Sequence, residues 1–139
     1  MILLDTNVVS AVMQSHPDPG VVRWLDQQSP DQIWLPSVVV FELRYGLDLL
    51  PAGGRRRRLE QGLEVLLTEL VQGRIAPLDA QAAREAAQLA AQRKALGTPV
   101  DLRDTLIAGT ALAHQATLAT RNQRHFLDLG LAIINPFQG

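Results

Sequence analysis

The sequence predicts a three-layer α/β/α fold with a short-stranded, mostly parallel central sheet, formed as one domain over residues 1–139. Short apolar runs at 1–4, 33–35, 116–119 and 131–134 alternate with longer segments in which apolar residues recur every three or four positions. Strands that are buried on both faces form such continuous apolar runs. Their alternation with helices is typical of a parallel sheet between two helical layers.

Local signals define where the elements begin and end. Asp18 followed by Pro19 provides a helix N-cap and a residue that is well tolerated in the first turn. Pro36 closes the second strand, and Ser37 is expected to cap the helix that follows. The patterns predict helices at 8–13, after Asp18, at 38–50, 55–71, 80–96, 101–113 and 123–127, with a further brief strand at 75–78.

Composition excludes several classes of protein. The formal charge is −1 and 19% of residues are charged, so the chain has no general basic field for coating nucleic acid. The absence of cysteine excludes disulfides, thiolate metal sites and cysteine nucleophiles. We expect no signal peptide, because the apolar run 1–4 is too short and has no basic residues before it, and no membrane span, because no apolar stretch approaches ~18 residues. We expect a cytoplasmic protein.

Asp5 is the first candidate for chemistry. It follows the apolar run 1–4 directly, and a buried carboxylate is costly unless a cation or hydrogen-bond donors meet it. Asp5 could equally cap the next helix, with Thr6 or Asn7 as alternative caps. The first seven residues alone leave both interpretations open.

Glu42 is the second candidate, in the middle of a strongly apolar predicted helix. It is not part of a capping box, because Val40 stands three residues after Ser37. Pairing with Arg44 at (i, i+2) has poor geometry on a helix. A solvated glutamate remains the alternative.

Asp104 is the third candidate. Pro99 places the start of its helix near Asp101, so that Asp101 is the cap and Asp104 lies in the first turn, where an acid is favourable. The same position lets Asp104 point into a shared site. The two interpretations are compatible.

If these three carboxylates converge, they need a cation to remain ionised together. Oxygen ligands select Mg²⁺ or Mn²⁺, whereas the scattered histidines His16, His114 and His125 give no zinc spacing. Such an ion suits phosphodiester or phosphomonoester hydrolysis.

Four motifs in this order resemble those of the PIN-domain family, and more narrowly the VapC-type toxins of toxin–antitoxin pairs in their FitB-like branch. The resemblance spans nearly the whole chain. The motifs are Asp5-Thr6-Asn7-Val8 after a strand, Glu42-Leu43 with Gly46, Asp104 before Leu106-Ile107-Ala108, and Thr120-Arg121-Asn122 before Phe126.

The resemblance implies a Mg²⁺- or Mn²⁺-dependent endoribonuclease whose metal ligands are Asp5, Glu42 and Asp104. It also implies that Thr6, Asn7 and Thr120 orient those ligands, that a cognate antitoxin blocks the site, and that the chain forms a homodimer.

One position departs from the family pattern. The family often has a further acid where this chain has Asn122 or His125, which puts a second metal in doubt. We expect Asn122 to hold water beside the site and His125 to lie at the surface or contact substrate. Arg121 and Arg124 are candidate RNA contacts.

Two alternatives remain. The missing acid would also fit a PIN-like module that binds RNA or antitoxin without cleaving. A phosphatase of the haloacid-dehalogenase type is weaker, because it uses two aspartates separated by one residue and position 7 is Asn. The run of four arginines at 55–58 opposes the helix dipole, and could be a phosphate-binding patch or a solubilising segment.

Overall fold

The computed structural model describes residues 1–138; Gly139, the last residue of the predicted domain, lies outside this range. Five strands form one sheet in the order β3-β2-β1-β4-β5. All four strand pairs are parallel, so the predicted mostly parallel sheet is confirmed. The strands are β1 (Ile2–Leu4), β2 (Ile33–Pro36), β3 (Ile75–Ala76), β4 (Thr117–Ala119) and β5 (Ala132–Ile134).

Six α-helices connect the strands, close to where the sequence predicts them. They are α1 (Thr6–Met13), α2 (Pro19–Asp26), α3 (Ser37–Leu49), α4 (Gly54–Val65), α5 (Ala80–Ala95) and α6 (Leu102–His114). None of the helices in residues 1–138 is long and apolar enough to cross a bilayer. Three 3-10 turns cover Pro30–Gln32, Gln123–Phe126 and Pro136–Gln138.

Two boundaries differ from the prediction. Ser37 is the first residue of α3 rather than its cap, and its hydroxyl instead accepts a hydrogen bond from the backbone N–H of Leu78. The predicted helix 55–71 ends earlier in regular form, since Leu66–Leu70 is a π-helical turn. The spacing of apolar residues locates a helix but does not distinguish α-helical from π-helical hydrogen bonding.

The connections place helices on both faces of the sheet. The chain passes from β1 outward to β2 and β3, and then returns past β1 to β4 and β5. Because parallel crossovers are right-handed, reversing the direction moves the connecting helices to the opposite face. The result is the predicted three-layer arrangement, with the fully buried Leu3, Leu35 and Leu118 in its core.

The reversal also creates a crevice between β1 and β4. In open parallel sheets, ligands bind beyond the carboxyl ends of the strands at this point. Asp5 and Thr120 each follow one of these two strands directly. The topology therefore brings together residues 115 positions apart in sequence.

Candidate active site

An open cavity of about 810 Å³ lies at this crevice. Asp5, Glu42 and Asp104 all line it, although they come from the end of β1, the middle of α3 and the first turn of α6. We call it the acidic cavity. Its wall also includes Thr6, Asn7, Arg103, Arg121, Asn122 and Phe137.

Asp5 is both a helix cap and a wall residue, so the two interpretations of its sequence position hold together. The residue is 5% exposed. Its Oδ1 accepts a hydrogen bond from the backbone N–H of Thr6 at 2.7 Å, which caps α1. Its Oδ2 accepts one from the Thr120 hydroxyl, also at 2.7 Å, and a longer one of 3.4 Å from the Asn7 amide. These donors stabilise the carboxylate in place of lost water.

Glu42 reaches the acidic cavity from α3. The Thr6 hydroxyl donates to its Oε1 at 3.0 Å, and Nη1 of Arg103 lies 2.7 Å from its Oε2. Burial raises the pKa of Glu42 above its usual value, and the negative charge of Asp5 adds to this effect. The hydrogen bond from Thr6 and the positive charge of Arg103 oppose the increase but do not cancel it.

Asp104 enters the same cavity from α6, which Asp101 caps as predicted by accepting from the backbone N–H groups of Arg103 and Asp104. Nδ1 of His125 lies 2.9 Å from Oδ2 of Asp104. Burial raises the pKa of Asp104, and the charge of Asp5 raises it further, while His125 and Arg103 act in the opposite direction. Two of the three predicted carboxylates, Glu42 and Asp104, thus carry an electrostatic cost.

Arg103 and His125 are the polar partners that sequence reasoning missed. His125 lies at the surface as predicted, with 51% of its side chain accessible, but its contact with Asp104 was not predicted. Arg103 was not singled out at all. Burial lowers its pKa, but the charges of Glu42, Asp104 and Asp101 outweigh that effect and raise it. The sequence offered one indication of its role, because Arg103 directly precedes the candidate acid Asp104.

The predicted supporting residues connect β1 to β4. The Thr120 hydroxyl donates to Asp5 and accepts from the backbone N–H of Asn122 at 3.0 Å. Oδ1 of Asn7 accepts from the backbone N–H of Arg121 at 3.1 Å, and its amide lies 3.4 Å from the Thr120 hydroxyl. The Asn122 side chain lines the acidic cavity. Thr120, Asn7 and Thr6 therefore hold Asp5 and Glu42 in position.

The basic residues divide into two groups. Arg121 lines the acidic cavity, whereas Arg124 lines a separate, smaller cavity that it shares with Arg93 and His125. Of the run 55–58, Arg56 bonds Glu60, Asp48 and the carbonyl of Leu50. None of these four arginines is in the acidic cavity wall.

The donor set has the chemistry of a site for a hard divalent cation, because three carboxylates with neighbouring hydroxyl and amide oxygens face one solvent-filled space. As the side chains of residues 1–138 stand, however, no three acidic or histidine groups are close enough together to hold a metal ion. Arg103 and His125 each occupy one carboxylate. The ligand types fit an ion, and their present positions favour protein partners.

Comparison with known proteins identifies the family of this chain. The PIN domain family model matches residues 2–130. The chain is 41% identical to the VapC ribonuclease Y4jK of Sinorhizobium fredii over 138 residues, covering 99% of both chains. It is 38% identical to the toxin FitB of Neisseria gonorrhoeae over 137 residues, again covering 99% of both.

A solved structure agrees over the whole chain. The crystal structure of FitAcB from Neisseria gonorrhoeae superposes with a TM-score of 0.90 and 37% identity, covering 100% of each chain. The family match, the relatives and the fold are consistent with the predicted resemblance. This chain belongs to the PIN domain family.

Proposed function

We propose that this protein is a metal-dependent endoribonuclease toxin that hydrolyses RNA phosphodiester bonds and is neutralised by a cognate antitoxin. The main support is the convergence of Asp5, Glu42 and Asp104 on one open cavity at the β1–β4 crevice. The match to the VapC ribonuclease Y4jK and to the toxin FitB agrees with this activity and role. We infer that residues 1–139 act as a single nuclease domain.

In this proposal Asp5, Glu42 and Asp104 hold Mg²⁺ or Mn²⁺. A bound ion of this kind supplies an activated water and offsets charge on the leaving oxygen. Thr6 and Thr120 hold Glu42 and Asp5 by the hydrogen bonds described above. Asn7 orients Asp5 and fixes the backbone at Arg121, while Asn122 holds water at the cavity wall.

Arg103 and His125 keep the acids paired before substrate and cation arrive. Arg103 is half-exposed, with 53% of its side chain accessible, so it can turn into water and release Glu42 without being left buried and unpaired. His125 is similarly exposed and can release Asp104. Arg121, and secondarily Arg124, contact RNA phosphates. In this arrangement the acids bind the cation, and Arg121 and Arg124 bind the RNA.

We infer that the protein acts in the cytoplasm, where its RNA substrate and its antitoxin are found. The antitoxin is the macromolecular partner that restrains cleavage. The net charge of −1 agrees with a toxin that leaves DNA contacts to that partner.

We also propose that two copies form a homodimer. Phe41 and Tyr45 of α3 are 65% and 56% exposed, and their rings stack with centroids 5.9 Å apart. Leu49 and Leu102 are also exposed, at 67% and 71%. Light scattering should give a dimer mass, and Tyr45→Glu should shift it toward the monomer. A monomeric wild-type protein at micromolar concentration would contradict this proposal.

Cleavage of RNA by the purified protein tests the proposed activity. We expect Mg²⁺ or Mn²⁺ to support cleavage, EDTA to stop it, and Asp5→Asn to reduce the rate by about a hundredfold or more. Glu69→Gln, an exposed acid on the π-helical turn, is the matched control and should cleave normally. Metal-dependent cleavage that persists in Asp5→Asn would exclude this site.

A second candidate function is an RNA-binding or antitoxin-binding module without turnover. The absence of a ready-made three-ligand metal cluster in residues 1–138, and the uncharged Asn122, favour it. It predicts RNA binding that is unaffected by EDTA and no cleavage at millimolar Mg²⁺ or Mn²⁺. One assay of RNA cleavage with and without the metal ion therefore distinguishes the two candidates.

A further inference from the structure

Arg121 is held at the wall of the acidic cavity by an aromatic ring. Its guanidinium carbon lies 4.0 Å from the centroid of the Phe137 ring, and both residues line the cavity. Arg121 follows β4, whereas Phe137 belongs to the 3-10 turn Pro136–Gln138, which follows β5. Two segments from one edge of the sheet thus meet beside the acids.

The turn that carries Phe137 is itself well supported. The backbone N–H of Phe137 donates to Oδ1 of Asn135 at 3.0 Å. Pro136 is buried, and the turn packs on α2 at Gly20, where a Cβ would lie 3.7 and 3.8 Å from the carbonyl oxygens of Pro136 and Phe137. The backbone that carries the Phe137 ring is therefore held in place.

Arg121 is fixed at both of its ends. Asn7 accepts a hydrogen bond from its backbone N–H, and Phe137 holds its guanidinium. Within residues 1–138 no carboxylate lies within 4.0 Å of that guanidinium, whereas Arg103 in the same wall is paired with Glu42. Among residues 1–138, the positive charge of Arg121 is therefore positioned without a carboxylate partner.

Stacking leaves an arginine ready to bind an anion. When the flat face of a guanidinium lies on an aromatic ring, its N–H groups still point outward around the edge. Those donors match phosphate oxygens in a two-point contact. Holding the side chain in place beforehand also reduces the entropy lost on binding.

We propose that Phe137 is a positioning residue of the RNA site, whose ring holds Arg121 so that it binds a phosphate of the RNA strand beside the acidic cavity. The proposal rests on the proposed function, because it assigns the substrate of the same cavity. It gives the turn after β5 a direct part in substrate binding.

Binding and cleavage should be measured on Phe137→Leu, which keeps apolar packing but has no π face, and on Phe137→Trp, which restores one. The probe is a short fluorescein-labelled single-stranded RNA of mixed sequence, bound to Asp5→Asn protein so that it is not consumed. We expect Phe137→Leu to weaken binding about two- to fivefold, and Phe137→Trp to bind like the parent protein. In the cleaving protein, Phe137→Leu should raise KM with little change in kcat.

Arg121→Ala makes the test specific. It should weaken binding at least as much as Phe137→Leu, reduce the salt dependence of binding by about one phosphate contact, and remove any further effect of Phe137→Leu. Arg84→Ala, an exposed arginine on α5 outside the cavity, should leave both affinity and salt dependence unchanged.

Two results would overturn the proposal: unchanged affinity in Phe137→Leu, or an equal loss in the presence and absence of Arg121. The nuclease proposal fails separately, if the wild-type protein does not cleave RNA with Mg²⁺ or Mn²⁺. RNA binding that depends on the Phe137–Arg121 pair without cleavage would retain this inference and reject the nuclease. Normal cleavage with an inert Phe137 would do the reverse.

Discussion

The acidic cavity and the α5–α6 interface differ in how their buried residues affect the stability of the fold. At the interface, small side chains let two helices approach closely, with Ala82, Ala86 and Gly109 buried between them. A Cβ on Gly109 would lie 2.7 Å from the backbone oxygen of Ala82 and from the backbone nitrogen and Cβ of Ala86. Each residue there favours the same packed arrangement.

In the cavity, local preference and structure disagree. Burial raises the pKa values of Glu42 and Asp104, and Asp5 adds to both, so the folded state disfavours the ionised form of each acid. Natural sequences tolerate such disagreement mainly where function requires it. The α5–α6 interface therefore stabilises the fold, whereas the acidic cavity keeps buried carboxylates that cost stability and that the proposed cation would bind.

Gly109→Ala should disrupt the α5–α6 interface and have the largest effect on stability. Because the new methyl would meet backbone atoms of α5, the helices must separate, and we expect a loss of about 3 kcal/mol in the free energy of unfolding. Chemical denaturation measures it. The control is Gly62→Ala on α4, where nothing lies within 4 Å of the added Cβ and a gain of about 0.5–1 kcal/mol is expected. Equal effects of the two substitutions would show that the α5–α6 contact is not tight.

Much of the fold could be predicted from sequence because its signals are local. Continuous apolar runs identify buried strands, and the predicted caps Asp18 and Asp101 begin helices where the structure has them. The π-helical turn at Leu66–Leu70 could not be predicted, since it preserves the same apolar spacing.

The site was predictable only in part. Asp5, Glu42 and Asp104 stand out because each is an acid in an apolar setting, and the structure places all three in one cavity wall. Their partners Arg103 and His125 have no such contrast, since both residue types are ordinary at exposed positions. Likewise, Phe137 contacts Arg121 because β4 pairs with β5. The residues around Phe137 and around Arg121 do not reveal this pairing.

Cation binding should relieve the cost in the acidic cavity. With Mg²⁺ or Mn²⁺ at ten times its dissociation constant, we expect stabilisation of about 1.4 kcal/mol and a corresponding rise in Tm. Glu42→Gln or Asp104→Asn should remove this rise, because each deletes a charged ligand. Asp48→Asn, at an exposed acid of α3 outside the acidic cavity, should preserve it. A rise that survives in all three variants would place the ion elsewhere.

The smallest expected effect is on the pH dependence of stability in EDTA. The folded-state pKa of Glu42 is raised above 4.5, so between 4.5 and the raised value the native protein binds more protons than the unfolded chain. Stability therefore decreases as pH rises through that window.

Glu42→Gln removes this decrease, while its side chain can still accept from Thr6 and Arg103. At pH 7 we expect the variant to be the more stable by less than about 1 kcal/mol, or a Tm higher by about 1–3 °C. The difference should disappear well below pH 4.5, where wild-type Glu42 is protonated in both states. Glu69→Gln serves as the exposed control. If Glu42→Gln is instead the less stable at pH 7, the Arg103 ion pair outweighs burial, and the carboxylate of Glu42 stabilises the fold rather than being retained at a cost.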